Sequence, residues 1–246
     1  MKHQICINRD YGWFTGGFDN NQKHKHYAIQ LSIPLESHVI IKASETTIES
    51  EQPVLIKSNV AHQILSDTPQ FLLLINPASA IGHFWSHLCE GEIQEVSCTP
   101  ASDLKNLLSD KSWQPQLAPQ LNAIIEAYDC FCSTAIHQGD ERVNQALAYL
   151  SNHFERVVPL DEVAAHVHLS SSRFLHLFKA QTGITYRRAQ LWNKLVKGLT
   201  QFGKKSFTEI AHQNGFADSA HLSRVFKEHF GFSPRAFLKI SQFVQV

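Results

Sequence analysis

IAHQNGFADSAHLSRVFKEHFGFSP, from Ile210 to Pro234, decides the fold of this 246-residue chain. A short helix predicted over Thr208 to Gln213 is stopped by Asn214-Gly215, and Asp218 or Ser219 caps the next one. At about 100° per residue, Leu222, Val225 and Phe226 fall on one buried stripe of that second helix. Ala220, Arg224 and Lys227 then face the other way. The small Ala211 sits where two helices around a tight turn must approach closely, and Phe216 plugs the turn.

Working outward, the same pattern occurs once before, in LDEVAAHVHLSSSRFLHLFKAQTGIT from Leu160. At an offset of 47, Leu160 meets Phe207, Glu162 meets Glu209, Val163 meets Ile210, Ala164 meets Ala211 and Leu169 meets Phe216. Beyond the turn the offset is 48: Phe174 meets Leu222, Phe178-Lys179 meets Phe226-Lys227, Gly183 meets Gly231 and Thr185 meets Ser233. One extra residue in the second turn explains the change. Apolar positions match while outward ones diverge, as expected of one supersecondary unit used twice on different targets. The first copy caps its second helix from the run Ser170 to Ser172, buries Phe174, Leu177 and Phe178, and turns Ser172, His176 and Lys179 outward. A helix of about 15 residues, roughly Tyr186 to Leu199, joins the copies.

Ile210, Ala211, Gly215, Phe216, Asp218, Leu222, Arg224, Phe226, Lys227, Gly231, Ser233 and Pro234 all fall in register with the signature of the AraC/XylS-type transcription regulators, which the chain resembles over roughly residues 140 to 238. The resemblance implies tandem helix-turn-helix units that read DNA. The chain departs from the family in the joining helix, where Lys194 and Gly198 replace the usual Arg and Ala. Glycine there costs about 1 kcal/mol relative to alanine and predicts a less rigid connection.

Charge supports a division into two functions. Formal net charge is zero, but residues 139–246 hold 14 Lys and Arg against 8 Asp and Glu, whereas residues 1–138 hold 8 against 14. A basic half beside an acidic one suits a DNA-binding module fused to another kind of domain. The five cysteines, Cys6, Cys89, Cys98, Cys130 and Cys132, have no framework spacing and suit a reducing compartment. The N-terminus lacks an apolar signal segment, and the longest apolar run, Phe71 to Ile75, cannot span a bilayer. A cytoplasmic, nucleoid-associated bacterial protein without a membrane partner is expected.

From Ile5 to about Asn76, alternating stretches such as HKHYAIQLSI, HVIIKA, TTIES and PVLIKS are broken every eight to twelve residues, which favours an antiparallel sandwich or barrel. His24 and His26 share one face of one strand, and His62 follows a later turn. H-x-H, then Gln30, then His62 resembles a degenerate cupin half-barrel, with Gln30 where the full cupin pattern has a carboxylate. The resemblance implies a sensor site, for which Trp13, His24, His26, Gln30 and His62 are the ligand-binding candidates. No bound cofactor is the leading expectation; a divalent ion on the three neutral imidazoles, with Glu36 as a further donor, is the alternative. Helices are predicted over Pro77 to Glu90, with His83 and His87 one turn apart, over Ser102 to Leu108, and over Leu117 to Cys132. The apolar face of the last, Leu117, Leu121, Ile124, Ile125 and Tyr128, serves either packing or dimerisation.

The fold class is therefore α+β: an N-terminal antiparallel cupin-like half-barrel with flanking helices over 1–136, and an all-α domain of two helix-turn-helix units and a linker helix over 139–246. Double-stranded DNA is the expected partner, met by Ser171, Ser172, Arg173, His176 and Lys179 in the first copy and Ser219, Ala220, His221, Ser223, Arg224 and Lys227 in the second. Arg224 is the foremost base reader, because arginine is the commonest specific partner of guanine. Lys179, Lys227, Arg187, Arg188, Lys204 and Lys205 are expected at phosphates. The resemblance adds an unknown small-molecule effector, RNA polymerase and a second copy of the chain as partners. No catalytic residues are expected. The rival readings are a cupin-type metal enzyme with a DNA-binding appendage, which Gln30 disfavours, and a DNA-binder without effector.

Overall fold

A computed structural model describes residues 4–16, 22–66, 68–109, 117–129 and 139–241. Cys130, Cys132, most of the predicted turn after Gly16 and the linker residues 137–138 lie outside these.

Nine strands come first: β1 (Gln4–Ile7), β2 (Tyr11–Gly16), β3 (Ile29–Pro34), β4 (Val39–Ala43), β5 (Thr46–Ser50), β6 (Val54–Ile56), β7 (His62–Ile64), β8 (Gln70–Ile75) and, after α1 (Ala80–His87), β9 (Ile93–Glu95). They form two antiparallel sheets, ordered β1-β2-β8-β3-β6-β9 and β5-β4-β7. A backbone bridge between His24 and His62 stands outside the named strands. Helices α2 (Thr99–Ser109) and α3 (Leu117–Glu126) flank the sheets. The helix over 117–126 ends short of the predicted Cys132, and β9 is too short for its alternation to register in the sequence.

The larger sheet is buried on both faces, which is why FLLLI, from Phe71 to Ile75 in β8, is continuously apolar. Trp13, Ile29, Leu31, Leu55, Phe71 and Leu73 point to one core, shared with Trp85, Leu104, Leu121 and Ile125 of the flanking helices. Phe14, Ala28, Val54, Ile56, Leu72 and Leu74 point to the other, where Val39, Ile41 and Ile64 of the smaller sheet meet them.

The remaining helices are α4 (Glu141–Asn152), α5 (Leu160–His166), α6 (Ser171–Thr182), α7 (Tyr186–Leu199), α8 (Phe207–Gln213), α9 (Ser219–Phe230) and α10 (Pro234–Ser241). The joining helix α7 has the predicted limits. Phe174 and Phe178 pack with Val143, Leu147, Val163 and Tyr186 in a third core. Phe226 and Phe230, with Trp192 and Leu195, belong instead to the core that contains Phe14, Val39 and Ile41. The second helix-turn-helix unit and the sheets thus share one interior. Among the described residues no helix is long and apolar enough to cross a membrane.

Candidate DNA-reading helices and a histidine cluster

The two units repeat one another down to single hydrogen bonds. In the turns, Leu169 N–H donates to the Ala164 carbonyl at 2.9 Å and Phe216 N–H to the Ala211 carbonyl at 2.8 Å. Both turns need a left-handed residue: His168 at φ 55° in the first, Gly215 at φ 71° in the second. Ser170 caps α6 and Asp218 caps α9, each side chain accepting from the backbone three residues on. Gly183 and Gly231 end these helices at φ 74° and 85°. The start of the first helix differs. Ser206 and Glu209 form a capping box on α8, whereas Pro159 gives α5 no side-chain cap.

Of the residues predicted to meet DNA, Ser172, Arg173, His176 and Lys179 on α6 and Ala220, Arg224 and Lys227 on α9 are exposed. Ser171, Ser219, His221 and Ser223 are only half-exposed. The Ser171 hydroxyl donates to Asp161, and the Ser223 hydroxyl donates to the Ser219 carbonyl at 2.8 Å. His221 Nδ1 accepts from Ala217 N–H at 3.2 Å. In this structure Ser171 and His221 thus brace the starts of α6 and α9, and Ser223 bonds back one turn within α9.

The joining helix departs from the prediction in two ways. Gly198 does not loosen it: a Cβ there would lie 3.1 Å from Ile210 Cγ2, so glycine lets α7 and α8 approach closely. Lys194 donates to the Gly215 carbonyl at 3.2 Å and ties α7 to the second turn. Arg188, expected at a phosphate, is half-buried instead. It pairs with Glu228 of α9 and stacks 4.7 Å over Tyr27 of the sheet domain. Arg187 and Lys204 are exposed.

In the sheet domain, His24, His26 and His62 come together with Gln30, as their sequence pattern suggested; Trp13 does not join them. Side chains alternate across β2, so Trp13 faces the other core and its indole N–H donates to Asn122 at 2.9 Å. Glu36 lies exposed in the turn after β3 and is no part of the group. Ring centroids of the three histidines are 4.5, 5.1 and 5.6 Å apart. Each Nδ1 is 2.9 Å from a backbone carbonyl, that of Gln22, Ala28 or Val60. On His24 and His62 a neutral ring therefore carries its proton on Nδ1, donates it there, and keeps a lone pair on Nε2, whereas His26 has a carbonyl oxygen at each nitrogen, that of Ala28 at Nδ1 and that of the Gln30 side chain at Nε2. Burial lowers all three pKa values, to about 3 at His26 and about 4 at His62, and the charge of Lys227 on α9 adds to the lowering at His24. Gln30 closes on His26 Nε2 at 3.0 Å and on the Ser32 hydroxyl at 2.9 Å. His62 Nε2 is buried without a hydrogen-bond partner.

The end of α9 covers this group. Tyr27 and Ala28 N–H donate to the Glu228 and His229 carbonyls at 2.8 and 3.2 Å. A Cβ on Gly231 would lie 2.8 Å from Cδ2 of both His24 and His26, so only glycine fits.

Residues 163–240 match the family model described as a helix-turn-helix domain. The HTH-type transcriptional activator RhaS of Klebsiella pneumoniae is 40% identical over 98 residues, covering 39% of this chain and 35% of its own length. RhaS of Escherichia fergusonii is 38% identical over 191 residues, covering 74% of this chain and 66% of its own. Through this region the chain belongs to the AraC family. It spans no more than about two thirds of these AraC-family relatives' length. Wild-type ToxT of Vibrio cholerae, solved with an unsaturated fatty acid bound, has the same fold at a TM-score of 0.55 and 15% identity, over 99% of this chain and 100% of that one.

Three further features of this AraC-family chain bear on function. A cavity of about 520 Å³ opens between the sheet domain and the helical half, lined by Arg9, Asp10, Asn76, Glu126, Asn152 and Gln190 among others. No sequence signal marks it, because its walls come from five separate segments. His83 and His87 sit ring to ring at 4.6 Å, but His83 Nδ1 pairs with Asn144 at 2.8 Å, and among the described residues no third donor joins them. On α3, Leu117, Leu121 and Ile125 are buried by packing on the sheet, while Ile124 and Tyr128 of the same stripe stay half-exposed.

Proposed function

We propose that the chain is a sequence-specific, DNA-binding transcription regulator whose sheet domain senses a small molecule. The observation that carries this reading is the pair of matched helices, α6 and α9, each with basic residues exposed on the face away from its core. Two major-groove segments on one side of B-DNA are about 34 Å apart. One chain would thus read two boxes about ten base pairs apart. Arg224 reads bases; Lys179 and Lys227 meet phosphates and set affinity and its salt dependence.

The cavity between the halves is the effector's seat in this reading. Its lining mixes Arg9, Asp10 and Glu126 with Ile81, Leu147 and Phe154 and suits a small amphipathic molecule, which would shift the balance between two arrangements of the halves by binding one of them better. The chain acts in the cytoplasm as a homodimer and meets RNA polymerase at the promoter; likeness to transcription activators supports the last of these. Selection from a random duplex library with the full chain tests the reading. Two enriched boxes at a spacing of about ten base pairs are expected; a library that stays unenriched at low salt would contradict it.

A further inference from the structure

We propose that His24, His26 and His62 form a binding site for one divalent transition-metal ion of the zinc class, and that its occupancy is transmitted to the DNA-reading half through the end of α9. The site itself does not depend on the DNA reading, and no DNA enters its test.

One ring nitrogen from each histidine lies within 4.8 Å of the other two. The Nδ1 atoms are all held by backbone carbonyls at 2.9 Å, the arrangement that orients imidazole ligands in metal sites. Two of the three backbones are also locked together: His24 N–H donates to the His62 carbonyl at 2.9 Å, and His62 N–H returns the bond at 2.8 Å. An unpartnered, buried ring nitrogen on His62 is costly to the fold unless something occupies the centre. The Gln30 amide, 3.0 Å from His26 Nε2, is the neutral oxygen donor within reach. Three imidazoles and an amide suit zinc, cobalt, nickel or copper rather than calcium or magnesium.

The ion would pull on its surroundings. Zinc–nitrogen bonds of about 2.0–2.1 Å place tetrahedral donors roughly 3.4 Å apart, so the rings must close from their present spread. The Cδ2 atoms of His24 and His26 are the ones against Gly231, and each is bonded to the Nε2 that would ligate. Closing the rings therefore changes the contact with the cap of α9. Tyr27 and Ala28, between and beside the ligands, hold the last carbonyls of that helix. Lys227, whose charge is felt at His24, would also be repelled by a dication. The same helix carries Arg224 at its exposed face.

The test uses the full chain, stripped with a chelator and titrated with Co²⁺, then with Zn²⁺ in competition. We expect one equivalent of cobalt with a visible d–d absorption that zinc removes, and apparent affinity lowered at least tenfold in His62→Gln and in His24→Asn. Two variants, each checked by circular dichroism, guard against one failing to fold. In hydrogen exchange, the segment 226–232, which holds no ligand, should change its protection when zinc binds and stay unchanged in His62→Gln. Metal binding as tight in both variants as in the wild type, or none at micromolar metal, overturns the site. Stoichiometric binding with unaltered exchange at 226–232 overturns the coupling.

Discussion

The helix-turn-helix of α5 and α6 and that of α8 and α9 share turn hydrogen bonds, caps and apolar skeleton, yet they are embedded differently. The first closes its core with α4 and the start of α7 around Phe174 and Phe178, and Ala78, just before α1, joins it. The second has no interior of its own: Phe226 and Phe230 continue into the sheets through Phe14, Ala28 and Val39. Its last turn is stitched to Tyr27 and Ala28, and Phe232 packs edge-on against Phe14, with ring centroids 5.5 Å apart. A repeated motif can therefore dock on different elements in its two copies: α6 packs on α1, and α9 joins the interior of the sheets. Changes in the sheet domain reach α9 through that interior and α6 through α1.

The largest effect should come from the cores. Phe226→Ala and Phe174→Ala each leave a cavity that costs about 3–5 kcal/mol in denaturant unfolding. Only Phe226→Ala should speed hydrogen exchange in β3 and β4 as well. Unchanged exchange there would mean that the two halves do not share an interior.

A smaller effect separates the reading faces. Arg224→Ala should weaken specific binding by about 1–3 kcal/mol with less effect on bulk DNA. His176→Ala, removing a shorter reader from α6, should cost under about 1 kcal/mol. Titrations at fixed salt decide, and an equal loss on both DNAs would assign Arg224 to phosphate.

Legibility in the sequence divided along the same line. Local signals were enough for the helical half: the 3.6-residue periodicity, Ser170 and Asp218 as caps, and Gly183 and Gly231 as stops placed α6 and α9, because these are interactions within a few residues. The alternation also showed the sheets, and H-x-H with Gln30 and His62 identified all four side chains that the structure gathers there. Trp13 failed because one residue's difference in strand position sends a side chain to the opposite core. Arg188 and Gly198 were misread for another reason. A cation on a helix reads as a phosphate contact, and a mid-helix glycine as slack, unless the packed partner is known. Glu228, Tyr27 and Ile210 are those partners, and the first two are far away in the chain or on another domain.

A pH dependence also distinguishes the second unit from the first. His229, buried at the end of α9, has its pKa lowered chiefly by burial, against the pull of the Val225 and Arg188 carbonyls. Its matched residue in the first unit is Gln181, which does not titrate. A base with a depressed folded-state pKa takes up its proton more readily unfolded. Its contribution is therefore complete above about pH 6.5 and is lost as the pH falls toward the folded value, by at most about 1.4 kcal/mol per pH unit. Denaturant unfolding between pH 7.5 and 5 should show a slope to which His24, His26 and His62 contribute in the same sense, and His229→Gln should make it shallower by up to one proton's share; a variant with the full wild-type slope would show that His229 does not contribute.

The most direct test of the central claim, that both units read DNA, is a titration of the full chain at fixed salt against a selected duplex and two versions with one box scrambled. The account predicts at least a tenfold loss for either scramble, larger for the box under Arg224. Equal affinity for the intact site, both scrambled sites and bulk DNA would contradict it.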